Sequence, residues 1–356
     1  MFGQQKNNTN VVYVGLSGGV DSAVSAALLQ EQGYTVVGVF IRIALHRYPC
    51  SAGVDKLEAM RVAAHLKIPF KEIDLSQTYQ SEVFDTSLKA FATGETPNPD
   101  VLCNREVKFG AFYAFAKAQG ADYIATGHYA RTLDGKLFEG LDSEKDQSYF
   151  LWMVPPEALK QTLFPVGGLT KPQVRAHAKR MKLPNAQRKD SQGLCFLGDL
   201  SLGDVLQQEL SPQPGPVLSE TGEVVGRHRG VALYTLGQRH GFELSIKDIH
   251  TSAHFIVAKD TLKNTITVSP YQYPINATKT ELLLREVNWF TMPQDGVYQA
   301  RFRYRGRRID ATLTNTDDGV VVTLHEPQYV SLGQSLVLYR DDECIGGGIV
   351  SDSTLT

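Results

Sequence analysis

The sequence has 356 residues, enough for two or three domains, and 42% of them are hydrophobic, which suffices for sizeable buried cores. The formal net charge is −2, so any nucleic-acid site must be a local basic patch rather than a property of the whole chain. No run of about 18 apolar residues occurs, which predicts that no segment spans a membrane.

Four cysteines are widely spaced and include no Cys-x-x-Cys pair, which argues against a structural zinc site or a disulfide framework. They are Cys50, Cys103, Cys195 and Cys344. A few isolated thiols are typical of a reducing compartment. The short polar start of the chain resembles neither a signal peptide nor a transit peptide, so we expect a cytoplasmic protein.

The first predicted strand ends in a glycine-rich turn. An apolar run over 11–16 leads into Ser17-Gly-Gly-Val-Asp-Ser22, and a helical pattern follows until Gly33. Backbone N–H groups at such a turn, with the positive end of the helix behind them, form an anion site. The serine hydroxyls can donate to phosphate, and Asp21 can hold a Mg²⁺ ion. The turn lacks the Gly-Lys-Ser/Thr sequence of a Walker loop.

Strand-like and helix-like segments then alternate, which predicts an α/β fold with a doubly wound parallel sheet. Predicted strands over 35–41, 70–75 and 121–126 are separated by predicted helices, one of them over 106–119. Ile41 ends the second strand and Gly127 follows the last one. Both are therefore expected at the carboxyl edge of the sheet, where ligands of such sheets bind.

Two cysteines lie in segments that the sequence predicts to be loops. Cys103 follows Thr96-Pro-Asn-Pro-Asp100, and Cys195 follows Asp190-Ser-Gln-Gly-Leu194. The turn Ser17-Gly-Gly-Val-Asp-Ser22 resembles the pyrophosphate-binding loop of ATP pyrophosphatases, which split ATP into AMP and pyrophosphate. Two thiols beside such a loop suit the thiolation of a base carbonyl. Adenylation makes the oxygen a leaving group, and one cysteine carries sulfur as a persulfide that the other releases. Asp100 can act as acid or base, whereas Cys344, in a strand-like run, is typical of a buried small hydrophobe.

Two basic stretches predict local contacts with phosphate. The first holds seven cations and no acidic residue: Lys171, Arg175, Lys179, Arg180, Lys182, Arg188 and Lys189. The second has arginine at alternate positions from 301 to 307, which would place four guanidinium groups on one face of a strand. The alternatives are a solvated helix face for the first and a protected edge strand for the second. Strand-like alternation over 281–349 predicts a small closed or nearly closed β-barrel.

Seven collinear motifs resemble those of the tRNA-specific 2-thiouridylase family, within the ATP pyrophosphatase superfamily. They are Gly15-Leu-Ser-Gly-Gly-Val-Asp-Ser22, Thr96-Pro-Asn-Pro-Asp-Val-Leu-Cys-Asn104, Ala125-Thr-Gly-His-Tyr129, Lys145-Asp-Gln-Ser-Tyr-Phe150, Lys189-Asp-Ser-Gln-Gly-Leu-Cys-Phe196, Tyr234-Thr-Leu-Gly-Gln-Arg239 and Gly333-Gln-Ser335. The resemblance implies a pyrophosphatase-type catalytic domain, a small central domain and a tRNA-contacting β-barrel. We place them at 1–205, 206–279 and 280–356.

The resemblance also implies an activity and its site residues. The activity is 2-thiolation of the wobble uridine of tRNA, with ATP, Mg²⁺ and a sulfur-donor protein. Cys195 would carry the persulfide, Cys103 would release its sulfur, and Asp100 would be the acid or base. ATP would bind Gly15, Leu16, Ser17, Gly18, Gly19, Val20, Asp21, Ser22, Ile41 and Gly127. The tRNA would contact Asn98, Pro99, Asp100, His128, Lys145, Asp146, Gln147, Arg303, Tyr304 and Gln334.

The residues themselves leave other interpretations open. The glycine-rich loop is shared with synthetases of GMP, NAD, argininosuccinate and asparagine, so an amide-forming synthetase is one alternative, and it would need neither Cys103 nor Cys195. A tRNA-binding protein with an inactive nucleotide site is a second. In a third, Asp100, Cys103 and Cys195 are ligands of an iron–sulfur cluster that activates sulfide.

Overall fold

A computed structural model of the chain describes residues 10–45, 47–48, 52–189, 201–245 and 253–356. Cys50, Cys195 and the motif around Cys195 lie outside these ranges, so the predictions made for them are not addressed by the structure. Within them, three sheets succeed one another along the chain.

The N-terminal region alternates strands and helices. Its elements are β1 (Val11–Gly15), α1 (Val20–Glu31), β2 (Thr35–Arg42), α2 (Ala52–Leu66), β3 (Phe70–Asp74), α3 (Ser76–Thr78), α4 (Thr86–Ala92), α5 (Pro99–Leu102), α6 (Phe112–Ala118), β4 (Tyr123–Ala125), β5 (Ala130–Leu133), β6 (Lys136–Glu139), α7 (Pro156–Lys160), β7 (Thr162–Leu163), α8 (Lys171–Arg180) and α9 (Leu202–Leu210). Five strands form a parallel sheet in the order β3-β2-β1-β4-β7. The predicted α/β parallel sheet is therefore confirmed.

Apolar residues on both faces explain why these strands lie inside. Along β1, Val12 and Val14 pack into a core with α1, α2 and α8, while Tyr13 points into a second core on the opposite side. A strand buried on both faces appears as a continuous apolar run, as 11–16 does.

The helix that carries Cys103 begins earlier than the sequence predicts. It starts at Pro99 and continues through a π-helical segment, Cys103–Ala111, into α6. The Asn98 side chain caps it, because its Oδ1 accepts from the backbone N–H groups of Asp100 and Val101 at 3.1 and 3.3 Å. Proline at the first helical position is compatible with the helix, since its missing N–H would have no partner there. The prediction that Asp100 and Cys103 lie in a loop is therefore wrong.

The central region forms a second five-stranded sheet. Its strands are β8 (Gly215–Leu218), β9 (Val224–His228), β10 (Phe242–Leu244), β11 (Phe255–Asp260) and β12 (Thr265–Ser269), in the order β10-β9-β8-β12-β11. The pairing is antiparallel except between β8 and β12. Val217, Ile256 and Ile266 are fully buried in its core.

The C-terminal region is a closed barrel, as predicted. Its strands are β13 (Thr280–Trp289), β14 (Gly296–Arg301), β15 (Ile309–Thr316), β16 (Gly319–Leu324), β17 (Ser335–Arg340) and β18 (Glu343–Leu355). The pairing of β13 with β18 closes the ring. On the edge that faces β13, the first residues of β18, Glu343 and Cys344, pair with β6, so the N-terminal hairpin β5–β6 extends the barrel sheet. That hairpin turns at Asp134 and Gly135, both with positive φ.

The predicted arginine ladder does not exist. Strand β14 ends at Arg301, and the next residues form a turn in which Arg305 has a φ of +58°. The arginines therefore point to different partners: Arg301 to Asp146, Arg303 to the Leu236 carbonyl, Arg305 to the Glu144 carbonyl and Arg307 to Glu326. Side chains at alternate positions share one face only while the strand continues, and here the strand ends at Arg301 and a turn follows.

Candidate active site

The glycine-rich loop lies between the carboxyl ends of β1 and β4, where the strand order reverses and ligands of open α/β sheets bind. Gly18 has a φ of +77°, which a side chain rarely tolerates. Gly127, at the end of β4, lies against the start of α1, because a Cβ atom there would sit 2.7 Å from the Ser22 nitrogen. Loop, strand end and helix start are thus packed together without room for a side chain.

Hydrogen bonds within the loop hold its shape. Ser22 donates its hydroxyl to the Gly19 carbonyl at 3.1 Å, and the Ser17 backbone N–H donates to Ser22 Oγ at 3.2 Å. The Gly19 N–H donates to Ser17 Oγ at 3.3 Å. Because the first turn of a helix has N–H groups without intrahelical acceptors, α1 presents them at a preformed turn. This arrangement suits the binding of phosphate oxygens.

The Asp21 carboxylate is held by two side chains from distant parts of the chain. Lys171 Nζ lies 2.8 and 2.9 Å from its two oxygens, and the Tyr129 hydroxyl donates to Oδ1 at 2.8 Å. Lys171 Nζ also lies 5.8 Å from the centroid of the Tyr129 ring. A carboxylate in such a loop can hold Mg²⁺, but in this conformation the Asp21 oxygens contact the ammonium group of Lys171.

The first basic stretch does not form one face. Lys171 and Arg188 point to the glycine-rich loop, Arg175 donates to the carbonyls of Ala186 and Arg188, and Arg180 pairs with Glu31 on the surface. Arg188 pairs with Asp55 and donates to the Gly18 carbonyl at 3.3 Å. The prediction of a single basic face is wrong, since helix α8 and the turn after it separate these side chains.

Asn185 is a site residue that sequence reasoning missed. It is buried and donates from Nδ2 to the Gly18 carbonyl at 2.8 Å. An asparagine 167 positions from its partner has no local signature, so no short motif could have identified it. Tyr129 belongs to one of the seven motifs, but the contact of its hydroxyl with Asp21 was not predicted.

Cys103 is fully buried one helical turn after the half-buried Asp100. Residues three apart on a helix lie on the same side, so the carboxylate and the thiol are neighbours along it. Cys103 packs in the core on the Tyr13 side of the sheet, which also contains Val83 and Val107. Cys344 is buried as well, and burial raises the pKa of its thiol, as expected for an unreactive cysteine.

A cavity of about 350 Å³ lies where the three regions meet. Four residues that the resemblance assigned to tRNA line it, namely Asn98, Arg303, Tyr304 and Gln334. Its other walls come from all three regions: Thr96, Pro97, Tyr149, Thr235, Leu236, Gln238, Phe302 and Ser335. Side chains separated by more than 200 positions therefore converge beside the helix start that carries Asp100.

Two residues that line this cavity, Arg303 and Tyr149, are held by hydrogen bonds to backbone carbonyls. Arg303 is held by the Leu236 carbonyl at 2.6 Å, and burial lowers the pKa of its guanidinium. Tyr149 donates to the Ser335 carbonyl at 3.1 Å, and burial raises the pKa of its phenol. The cavity is thus lined by a cation, aromatic rings and side-chain amides, which are groups that recognise an unstacked base.

Comparison with known proteins identifies the family. A family model described as "tRNA methyl transferase HUP domain" matches residues 10–199. Models of the tRNA methyl transferase PRC-barrel domain and the aminomethyltransferase beta-barrel domain match 203–270 and 279–350. The tRNA-specific 2-thiouridylase MnmA of Serratia proteamaculans is 40% identical over 97% of this chain and 98% of its own length. The chain belongs to the tRNA-specific 2-thiouridylase family.

A second member of the family, from Pectobacterium atrosepticum, is 41% identical over 97% of this chain and 98% of its own length. Among solved structures, the NMN synthetase of Francisella tularensis is similar with a TM-score of 0.35 and 18% identity, covering 55% of this chain and 71% of that one. That likeness is too weak to carry an argument. The sequence match along the whole chain carries the family assignment.

Three residues that the thiouridylase resemblance assigned to tRNA make hydrogen bonds or ring contacts within the protein. His128 is buried against Phe109 and Phe164, with its Nδ1 2.7 Å from the Thr126 hydroxyl. Asp146 is buried and accepts from the N–H groups of Gly140 and Ser148 at 3.0 and 3.1 Å. Gln147 accepts from the Tyr129 N–H at 3.0 Å.

In the described conformation His128 and Asp146 are buried and Gln147 is half-buried, which the position of a residue within a motif does not predict. Lys145, in the same segment, is half-buried, with its N–H donating to the Asp142 carbonyl. Ile41, assigned to ATP, is buried at the end of β2 in the same core as Cys103.

In the described ranges, no group of three or more His, Cys, Asp or Glu is placed to hold a metal ion. An iron–sulfur site through Asp100, Cys103 and Cys195 depends on a residue outside those ranges. The helices of the same ranges include none that is long and apolar enough to cross a membrane.

Proposed function

We propose that this protein is an ATP-dependent sulfurtransferase that converts the wobble uridine of tRNA to 2-thiouridine, in the cytoplasm. The observation that carries the proposal is the three-region cavity, which brings Asn98, Arg303, Tyr304 and Gln334 together beside the helix of Asp100 and Cys103. Relatives 40–41% identical along nearly the whole chain bear the 2-thiouridylase name, which supports the same reaction.

The first step is adenylation. The loop Gly15–Ser22 and Gly127 bind ATP, with Ile41 at its edge, and Asp21 is the residue suited to Mg²⁺. Magnesium would neutralise phosphate charge and orient the α-phosphate. The C2 oxygen of uridine attacks the α-phosphorus, the α–β bridging bond breaks, and pyrophosphate leaves with the electron pair. Asp100 accepts the N3 proton that the adenylated base loses.

The second step is sulfur transfer. A sulfur-donor protein leaves a persulfide on Cys195, its terminal sulfur attacks C2, and AMP departs with the oxygen. The Cys103 thiolate then attacks the Cys195 sulfur, which releases 2-thiouridine and leaves a disulfide that an external thiol must reduce. The Cys103 thiol is buried, so this step requires the start of its helix to move until the thiol is exposed to the cavity.

The test is sulfur transfer in vitro with the whole chain. ATP, Mg²⁺, a persulfide source, a thiol reductant and unmodified tRNA are incubated, and the digested tRNA is analysed by mass for 2-thiouridine. We expect product with the wild type and with Cys344→Ser, the matched control, and none with Cys103→Ser or Cys195→Ser. Product with all four proteins would refute the roles of the two thiols.

Other arms separate the alternatives. AMP and pyrophosphate without a thiolated base would favour an amide-forming synthetase. Failure to bind ATP would favour a tRNA-binding protein without nucleotide chemistry. Iron in proportion to protein, with activity lost on its removal, would replace the persulfide route by an iron–sulfur one. Because the family models are described as methyl transferases, one arm replaces ATP by S-adenosylmethionine. A methylated base in that arm would overturn the proposal.

A further inference from the structure

Lys171 is positioned against ordinary helix electrostatics. It is the first residue of α8, and its side chain extends to the first turn of α1, where Nζ meets the Asp21 carboxylate at 2.8 Å. Helix N-termini carry partial positive charge and favour anions, so a cation that belongs to one N-terminus and touches another is unfavourable unless negative charge is concentrated there. Asp21 supplies one such charge.

The backbone around Lys171 is anchored independently of this ion pair. Its N–H donates to Asp142 Oδ2 at 2.7 Å, and Thr170 and Gln173 form a capping box at the start of α8. The backbone of Lys171 is therefore fixed, whereas four flexible methylenes carry its ammonium group. The side chain is 13% exposed, so its interactions are only partly screened by solvent.

We propose that Lys171 is a catalytic residue that holds the β- and γ-phosphates of ATP and stabilises pyrophosphate as it leaves, with Asp21 positioning it beforehand. This inference rests on the proposed function in one respect, that ATP is the substrate of the loop. When the triphosphate binds at the start of α1, the ammonium transfers from the carboxylate to the phosphate oxygens. Asp21 is thereby released for Mg²⁺.

The charge balance of the step gives the ammonium its role. As the α-phosphorus bonds to the uridine oxygen, the α–β bridging bond breaks and its electron pair remains on pyrophosphate, whose negative charge rises. Lys171 stays protonated throughout and accepts no proton. Its contribution is electrostatic, and it is largest when the leaving group carries its full charge.

Arg188 also contacts the glycine-rich loop, but its partners differ from that of Lys171, and the difference favours Lys171 as the phosphate-binding residue. Its guanidinium pairs with Asp55, which lies outside the loop, and its contact with the loop is a hydrogen bond to the Gly18 carbonyl. Lys171 instead pairs with a carboxylate of the loop itself. Of these two cations at the loop, Lys171 has the partner that a metal ion would take over.

The test is a binding measurement on the full chain that does not require tRNA or sulfur. Calorimetry with Mg²⁺ measures the affinities for a non-hydrolysable ATP analogue, for inorganic pyrophosphate and for AMP. The variants are Lys171→Met, Lys171→Arg, and Lys179→Met as a control, because Lys179 is an exposed lysine on the same helix. We expect Lys171→Met to bind the analogue and pyrophosphate about ten- to a hundredfold more weakly, as for loss of a charge-assisted hydrogen bond.

AMP lacks the β- and γ-phosphates and serves as the internal check that the loop is intact. We expect its affinity to stay within twofold for each variant, and Lys171→Arg to recover part of the pyrophosphate affinity. Equal losses for AMP and pyrophosphate would mean that the ion pair only shapes the loop, and unchanged pyrophosphate affinity would also overturn the proposal. If the wild type binds the analogue but makes no thiouridine, the proposed function fails while the role of Lys171 stands. If the wild type binds no adenine nucleotide, both fail.

Discussion

Gly127 gives the most direct test of how tightly the nucleotide loop is built. It is the second residue after β4, and a Cβ atom added to it would lie 2.7 Å from the Ser22 nitrogen and 2.9 Å from the Asp21 carbonyl carbon. These are backbone atoms in the first turn of α1, so no side-chain rotation relieves the contact. Gly127→Ala therefore requires α1 to move away from β4.

The size of the movement follows from these distances. The nearest contact is about 0.7 Å shorter than ordinary van der Waals separation, and protein interiors absorb such overlaps poorly. Overpacking of this kind costs about 1–3 kcal/mol of folding free energy. A shift of that size also displaces the N–H groups that would face phosphate. Since a hydrogen bond to a charged group contributes about 1.5–3 kcal/mol, the loss of even one N–H contact to phosphate should lower ATP affinity at least about tenfold.

Gly168→Ala is the matched control, because nothing lies within 4 Å of a Cβ atom at that position. Urea denaturation gives the folding free energy of each variant, and calorimetry gives its affinity for a non-hydrolysable ATP analogue. We expect the control to change stability by no more than about 0.5 kcal/mol. Equal stability and equal ATP affinity of the two variants would refute the idea that Gly127 packs too closely against α1 to accept a Cβ atom.

Three further predictions concern residues outside the loop. Asn98→Ala should destabilise the protein by about 1 kcal/mol through loss of the cap, whereas Asn98→Asp keeps an acceptor and should not; similar urea midpoints for both would contradict this. Asp146→Ala should cost about 1–3 kcal/mol, because the N–H groups of Gly140 and Ser148 lose their buried acceptor while Arg301 keeps Glu139, and a variant of normal stability with weaker tRNA binding would support the tRNA contact that the resemblance implies. Burial holds the pKa of His128 well below 6.5. As the pH falls below 6.5, His128 is protonated in the unfolded chain but stays neutral in the folded chain, so the free energy of unfolding falls. His128→Gln should flatten the stability profile between pH 7 and about 5, as measured by urea melts, but not abolish the slope, since burial also lowers the pKa of His228. An unchanged slope would show that His128 is not the group responsible.

The sequence predicted the parts of this protein that depend on local pattern. The apolar run before Ser17 is a buried strand, the glycine-rich turn starts a helix, and the alternating C-terminal segments form a closed barrel. Each follows from periodicity or from a conformation that only glycine accepts. The hairpin β5–β6 with its Asp-Gly turn was predictable for the same reason.

What could not be predicted depends on tertiary contacts. Two prolines around Asn98 are typical of a loop, yet the second occupies the first position of a helix that Asn98 caps. Alternate arginines are typical of a strand face, but the strand ends at Arg301. Cations of the first basic stretch pair with acidic residues outside that stretch, as Lys171 does with Asp21, Arg180 with Glu31 and Arg188 with Asp55. Charge counts within a segment do not show which distant carboxylates face it.

One short stretch of chain connects the nucleotide loop to the cavity. Gly127 packs on the start of α1, and Tyr129 donates its hydroxyl to Asp21. The Tyr129 N–H donates to Gln147, and two residues later Tyr149 lines the cavity and donates to Ser335 of the barrel. Between them the chain forms the hairpin that pairs with β18.

This connection is short and built of backbone and buried hydrogen bonds, so a shift at the nucleotide loop has a direct physical route to the barrel wall. The Glu95–Arg285 ion pair, with contacts of 2.7 and 3.0 Å, ties the same two regions together near Thr96. Because β18 pairs with β6, the barrel residues that line the cavity and the start of α1 belong to one connected framework. Substitutions in the hairpin should therefore alter nucleotide and tRNA binding together, although they touch neither ligand.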